Sequence, residues 1–144
     1  AQELVRAHNR VVRNALKSNA GKEVKHTGDG IMASFEASSN SVDAAIAIIK
    51  GIKDYNAESP KIPLHLRVGI NSGDPIREDD DLFGSTVQMA ARICDAAETD
   101  QALVSNLVRE LCSGMAVEFR DTGQYGMKGI AEPVTLYEPV LKGG

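Results

Sequence analysis

The sequence predicts an α+β fold in which helices pack on one face of a sheet, and three observations carry that expectation. Gln2 to Lys17 places Leu4, Val11, Val12, Ala15 and Leu16 on one face at helical spacing, with Arg6, Arg10, Arg13 and Lys17 mostly elsewhere. Leu64 to Asn71, LHLRVGIN, alternates strictly, with Leu64, Leu66, Val68 and Ile70 on one side and His65, Arg67 and Asn71 on the other. The element order that follows is helix, hairpin, helix, strand, helix, strand, helix, then strands. Such mixing favours an α+β sheet over a doubly wound parallel one.

Each element has its own signal. Asn19-Ala20-Gly21 ends the first helix. Glu23 to Phe35, EVKHTGDGIMASF, reads as two strand-like runs joined by a Gly28-Asp29-Gly30 turn, which sets one carboxylate between two glycines. Ser41 is the expected N-cap of a second helix lined by Val42, Ala45, Ile46, Ile49 and Ile52, which stops before Pro60. After Ser72-Gly73-Asp74-Pro75, the acidic run Glu78-Asp79-Asp80-Asp81 leads into Leu82-Phe83-Gly84 and a third helix from Ser85 to Ala97. Its expected core stripe is Val87, Ala90, Ala91 and Cys94, and Gln88 and Arg92, four apart, share a neighbouring face. A strand at Ala102 to Val104, a short helix from Asn106 capped by Ser105, a strand around Val117 to Arg120, and a closing pair at Gly126-Met127-Lys128 and Val134 to Val140 complete the chain.

Composition narrows the function. At 144 residues, 42% of them apolar and 25% charged, the chain has the length and balance of one ordinary globular domain. A net charge of −4 with mixed signs offers no basic stripe, which argues against nucleic acid and anionic membrane as partners. Cys94 and Cys112 lack a CxxC spacing and read as core thiols in a reducing, cytoplasmic setting. His8, His26 and His65 have no ligand spacing, and Met32 and Met89 read as packing residues. The missing initiator Met and the start inside a helix pattern lead us to expect a longer parent chain.

Taken in order, VKHTGDGIMASF, LRVGINSGD, DLFGSTVQMAARI, ALVS and GMKGIAEPVTLYEPV resemble the catalytic domain of the class III adenylate and guanylate cyclases, across nearly the whole chain. The resemblance implies a ferredoxin-like α+β sandwich spanning 1–144 that works as a head-to-tail homodimer. It implies attack of a ribose 3′-hydroxyl on the α-phosphate of ATP, giving 3′,5′-cyclic AMP and pyrophosphate. Two divalent cations, Mg²⁺ or Mn²⁺, about 4 Å apart on carboxylates would assist. Asp29 then matches the family's second metal-binding aspartate, flanked by Gly28 and Gly30 at the phosphates. Lys25 matches the base-recognition lysine and Asp81 its acidic partner, a donor and an acceptor that suit adenine's N1 and N6. Arg92 matches the transition-state arginine and Lys128 a lysine for the terminal phosphates.

In the family's dimer, Asp29 of one chain serves one site while Lys25, Asp81, Arg92 and Lys128 of that chain serve the other. Two departures stand out. The family's first metal-binding aspartate lies on a strand upstream of the first helix, where this sequence begins, so the fragment alone is expected to be impaired or inactive. Gln88 stands where the family has an asparagine that orients the ribose, with a side chain one methylene longer. Without the resemblance, the same residues have plainer readings: Asp29 as turn chemistry, Lys25 as a solvated strand residue, Asp81 as part of an acidic loop, Arg92 as half of a surface ion pair and Lys128 as a strand end. A non-catalytic nucleotide-binding homology domain with a regulatory or dimerising role is the alternative function. A regulatory domain is expected elsewhere in the parent chain.

Overall fold

A computed structural model describes residues 2–27, 30–79 and 81–142. Two compact units emerge, Ala1–Leu66 and Arg67–Gly144.

In the first unit, α1 (Gln2–Ser18) and α2 (Ser38–Ala57) pack on each other and on a two-stranded antiparallel hairpin, β1 (Gly21–Thr27) and β2 (Gly30–Phe35). Of the expected α1 stripe, Val12, Ala15 and Leu16 are buried while Leu4 and Val11 are half-buried, and Ala7 is buried beside them. They share the unit with Val42, Ala44, Ala45, Ile48 and Ile52 of α2, and with Leu64. Gly21 lets the chain leave α1 tightly, since a Cβ there would stand 2.6 Å from the Phe35 ring and 2.8 Å from Leu16 Cδ2.

Ser41 is not the cap of α2. The helix starts a turn earlier, after Ala37, and Ser41 is buried inside it with its hydroxyl donating to the Ser38 carbonyl at 2.6 Å. A serine within a helix can satisfy itself in this way instead of capping. The burial stripe is shifted accordingly, with Ile48 deep and Ile46 and Ile49 half-buried.

The second unit holds a four-stranded sheet in the order β3-β6-β8-β7, with β3 (Val68–Ile70), β6 (Ala102–Ser105), β7 (Val117–Tyr125) and β8 (Val134–Leu141). β3 runs parallel to β6, while β6–β8 and β7–β8 are antiparallel, so the sheet is mainly antiparallel. α3 (Ser85–Ala96) lies on β3 and β6, and α4 (Asn106–Leu111) on β6 and β8. Ser105 caps α4 as expected, its hydroxyl accepting from the Val108 N–H. Ile93, Ala97, Leu103 and Leu136 form a buried cluster against which Met89, Ala96, Tyr125, Met127 and Val134 pack.

Four expectations need correction here. The alternating run 64–71 enters the ladder only at Val68, because the Asn56 amide holds the Leu64 N–H and carbonyl, both at 2.8 Å, in place of a strand partner. Glu78 and Asp81 of the acidic run lie in strands that pair antiparallel, β4 (Ile76–Glu78) and β5 (Asp81–Phe83), while Asp80 lies outside the described residues. Gly126-Met127-Lys128 is a connection between β7 and β8, not a strand. On α3 the deep residue is Ile93; Val87, Ala90 and Cys94 are half-buried and Ala91 is exposed.

Candidate active site

The second unit supplies the clearest site geometry. α3 is seated hard against β3 because Gly69 has no side chain: a Cβ there would overlap the backbone nitrogen of Cys94. Gly84, at φ +106°, turns the chain from β5 into α3, whose first turn closes with the Gln88 N–H on the Gly84 carbonyl at 3.0 Å. Asn71, just past β3, donates to the Thr86 carbonyl at 3.3 Å and ties the other side of that turn. This seating fixes the helix face that carries Gln88, exposed, and Arg92, half-buried.

Arg92 opens onto a cleft of about 520 Å³ whose other walls are Asp95 and Ala96 of α3 and Gln124 to Lys128. The cleft is shallow and open to solvent. Lys128 is presented by a tight turn closed by the Ile130 N–H on the Met127 carbonyl at 3.1 Å, with Gly129 in the left-handed region at φ +81°. Met127 packs against the buried cluster and anchors the turn. Arg92 reaches toward it, its Nη2 lying 3.8 Å from where a Cβ on Gly129 would stand. Two cations that the resemblance assigns to one site thus line one cleft.

The polar lining residues Asp95, Gln124 and Tyr125 are not among those the sequence pointed to. The Tyr125 hydroxyl donates to Thr122 Oγ1 at 3.0 Å, and that hydroxyl donates to the Leu136 carbonyl at 2.8 Å, which pins the aromatic wall. The β7–β8 register shifts between Asp121 and Gln124, with Gly123 at φ +109° and its N–H on Asp121 Oδ1 at 2.7 Å. An Asp-Thr-Gly inside a strand pattern is the signal that marks such a bulge. Cys94 sits on the other side of α3, its Sγ 3.5 Å from the Arg67 carbonyl, and burial pushes its thiol above the ordinary value.

The remaining expected residues are distributed as follows. Asp81 begins β5 opposite Glu78, and its Oδ1 accepts from the Leu82 N–H at 2.8 Å. Lys25, exposed, lies on β1 of the first unit, and Gly30 opens β2 with free space where a Cβ would stand. Gly28 and Asp29 lie outside the described residues. Among the described residues no group of three or more His, Cys, Asp or Glu converges as a metal site. Among them too, no helix is long and apolar enough to cross a membrane.

Beside β1, Arg13 of α1 donates from Nε to Glu23 Oε1 at 2.8 Å and from Nη2 to Glu23 Oε2 at 3.1 Å. The guanidinium, first through this hydrogen bonding, holds the Glu23 carboxyl below its ordinary range. His26 Nε2 lies 2.8 Å from the same Nη2.

Residues 1–138 match the family described as the adenylate and guanylate cyclase catalytic domain. The crystal structure of an adenylate/guanylate cyclase/hydrolase from Silicibacter pomeroyi is 28% identical, with a TM-score of 0.85 over 99% of this chain and 86% of that one. The adenylyl cyclase CyaB from P. aeruginosa is 25% identical, with a TM-score of 0.76 over 96% of this chain and 81% of that one. An adenylate cyclase of Mycosarcoma maydis is 31% identical over 89% of this chain and 6% of its own length. The chain spans between 6% and 34% of the lengths of the curated relatives it matches.

Proposed function

We propose a function from one premise: the chain belongs to the adenylate and guanylate cyclase catalytic domain family, and within it this domain makes 3′,5′-cyclic AMP and pyrophosphate from ATP. The observation that carries the reading is the shared cleft of Arg92 and Lys128. Two cations on one wall-and-turn arrangement, against a single Asp95 carboxylate, suit a polyanion better than a neutral ligand. In this reading Lys128 holds the terminal phosphates. Arg92, whose planar fork stays charged, meets the negative charge that grows as the α-phosphorus is attacked. Gln88, one turn earlier on the same face of α3, orients the ribose.

Adenine is assigned to Lys25 and Asp81. A lysine donates and a carboxylate accepts, which matches adenine's N1 acceptor and N6 donor and leaves guanine with unpaired groups. Asp29, between Gly28 and Gly30, is the residue of this chain assigned to Mg²⁺ or Mn²⁺, hard cations that prefer carboxylate oxygen. Such a cation, when bound, lowers the pKa of the attacking hydroxyl and neutralises phosphate charge. A head-to-tail homodimer, with Asp29 of one chain serving the site completed by the other chain's Lys25, Asp81, Arg92 and Lys128, completes the proposal. The work is assigned to a cytoplasmic domain of a longer, regulated chain.

The deciding experiment incubates the full-length protein with Mn²⁺ and either ATP or GTP and quantifies cyclic nucleotide and pyrophosphate. Cyclic AMP released in step with pyrophosphate, and in excess of cyclic GMP, is the expected result. ATP bound tightly but never turned over would sink the catalytic reading, and preferred turnover of GTP would sink the assignment of the base.

A further inference from the structure

The β1–β2 pairing carries an irregularity whose consequence falls on Lys25. Glu23 pairs with Ala33 and Lys25 pairs with Met32, so Val24 is an extra residue, a bulge. In an unbulged strand Glu23 and Lys25, two apart, would share a face. Here their partners are consecutive, and consecutive residues of β2 point to opposite faces, so Glu23 and Lys25 are turned apart. His26 pairs with Ile31, two residues from Ala33, and so returns to the face of Glu23. One side of β1 thus carries Glu23 and His26, from either flank of the bulge, and the other carries Lys25.

Arg13 touches both flanks. Its fork takes Glu23 in a bidentate ion pair, and the same Nη2 reaches His26 Nε2 at 2.8 Å, where an arginine can only donate and the imidazole nitrogen must accept. Glu23 Oε2 and His26 Nε2 are themselves 3.4 Å apart. Arg13 is rigidly based, because its neighbours Val12, Ala15 and Leu16 are buried. A one-residue slip on either side of Val24 would carry Glu23 or His26 to the wrong face and break the fork or the histidine contact.

We propose that Arg13 is a positioning residue, which through Glu23 and His26 holds the bulge at Val24 and so fixes the face of β1 from which Lys25 reads the base. The selectivity half of this rests on the assignment of Lys25 to adenine made above. The cluster is half-exposed, so its effect is modest: about a two- to fivefold change, in keeping with a well-formed surface ion pair.

The test uses the full-length protein and the variants Arg13→Ala, Glu23→Ala, the double variant and Lys25→Ala. Kinetics with ATP and GTP are read beside backbone amide hydrogen exchange over residues 21–27. Arg13→Ala should lower the ATP-over-GTP ratio of kcat/KM by about two- to fivefold, mostly through KM for ATP, and should quicken exchange within 21–27 while leaving the buried α2 amides unchanged. The double variant should be no worse than Arg13→Ala, because both substitutions remove one interaction. Unchanged exchange in Arg13→Ala overturns the proposal, and so does faster exchange with an unaltered ratio, since the cluster would then be structural only. If Lys25→Ala itself leaves the ratio untouched, the assignment of the base falls and takes the selectivity half with it, while the exchange data still decide whether Arg13 holds the bulge.

Discussion

Arg92 and Lys128 share a cleft, yet they are expected to fail differently when removed. Lys128 is a compact, mobile point charge on an exposed turn, suited to phosphates that carry full charge before and during reaction. Its loss should raise KM for ATP with little change in kcat. Arg92 is half-buried on a rigid helix, and its role is assigned to charge that appears only on reaction. Arg92→Ala should cut kcat by about 100- to 1000-fold, the usual cost of losing one such donor, with ATP binding nearly preserved. Arg92→Lys should recover only part of this, because it restores charge without the fork. Equal losses in kcat and in ATP affinity for Arg92→Ala would assign it to ground-state binding instead.

Cys94 lies two residues beyond Arg92 on the side of α3 that meets β3, and its environment makes a prediction about pH. Burial, the first cause, raises its thiol; the nearby Arg67 charge offsets part of that. A raised thiol stays protonated in the folded state after it would ionise in the unfolded one. Its contribution to stability is therefore complete below the ordinary thiol value and is lost as pH rises through the folded one. Alkylation of Cys94 by iodoacetamide, followed by mass spectrometry of the folded protein, should lag a small free thiol at pH 8 and accelerate only at more alkaline pH. A rate at pH 8 equal to that of the free thiol would refute the half-buried, protonated picture.

Among the elements, the parts legible in the sequence were those whose signal is local. Most of the α1 stripe, the Ser105 cap and the pairing of 21–27 with 30–35 depend on spacing within a few residues, and the structure has them where the pattern puts them. The parts that were not legible depend on partners distant in sequence. Nothing in LHLRVGIN says that Asn56 will take up Leu64's backbone groups and delay the strand to Val68. Nothing near Lys128 says that Met127 will pack against the Ile93 cluster and make a turn of what reads as a strand. The same holds for the candidate site: Arg92 and Lys128 were found by motif, but their sharing of a cleft with Asp95 and Tyr125 follows from how α3 seats on the sheet.

Gly69 tests that seating. Its clash, were it given a Cβ, is with the backbone of α3 rather than with a side chain that could swing aside. Gly69→Ala should therefore push the helix away from β3 and cost about 1–3 kcal/mol, as overpacking does. Thermal unfolding should show Tm lowered by several degrees, and residual activity should fall because Arg92 rides on the displaced helix. An unchanged Tm would mean that α3 seats more loosely than its contact with Gly69 indicates.

In the proposed homodimer each active site is divided between two chains, and that division has a quantitative consequence. A homodimer of Asp29→Ala chains has two sites without the metal-binding carboxylate, and a homodimer of Arg92→Ala chains has two sites without the arginine. Each should be close to inactive. Mixed dimers differ, because in the head-to-tail arrangement one site collects both substitutions and the other collects neither. Random exchange of equal amounts makes half the dimers mixed, each with one intact site, so activity should return to about one quarter of the wild-type level. The measurement is cyclic AMP formed from Mn²⁺-ATP after the two full-length variants are mixed and allowed to exchange subunits, with a dilution series alongside. Recovery that disappears on dilution below the dimer dissociation constant supports a site shared between chains. If exchange is verified by a labelled subunit and the mixture stays as inactive as its parents, Asp29 and Arg92 belong to one chain's site and the head-to-tail assignment is wrong.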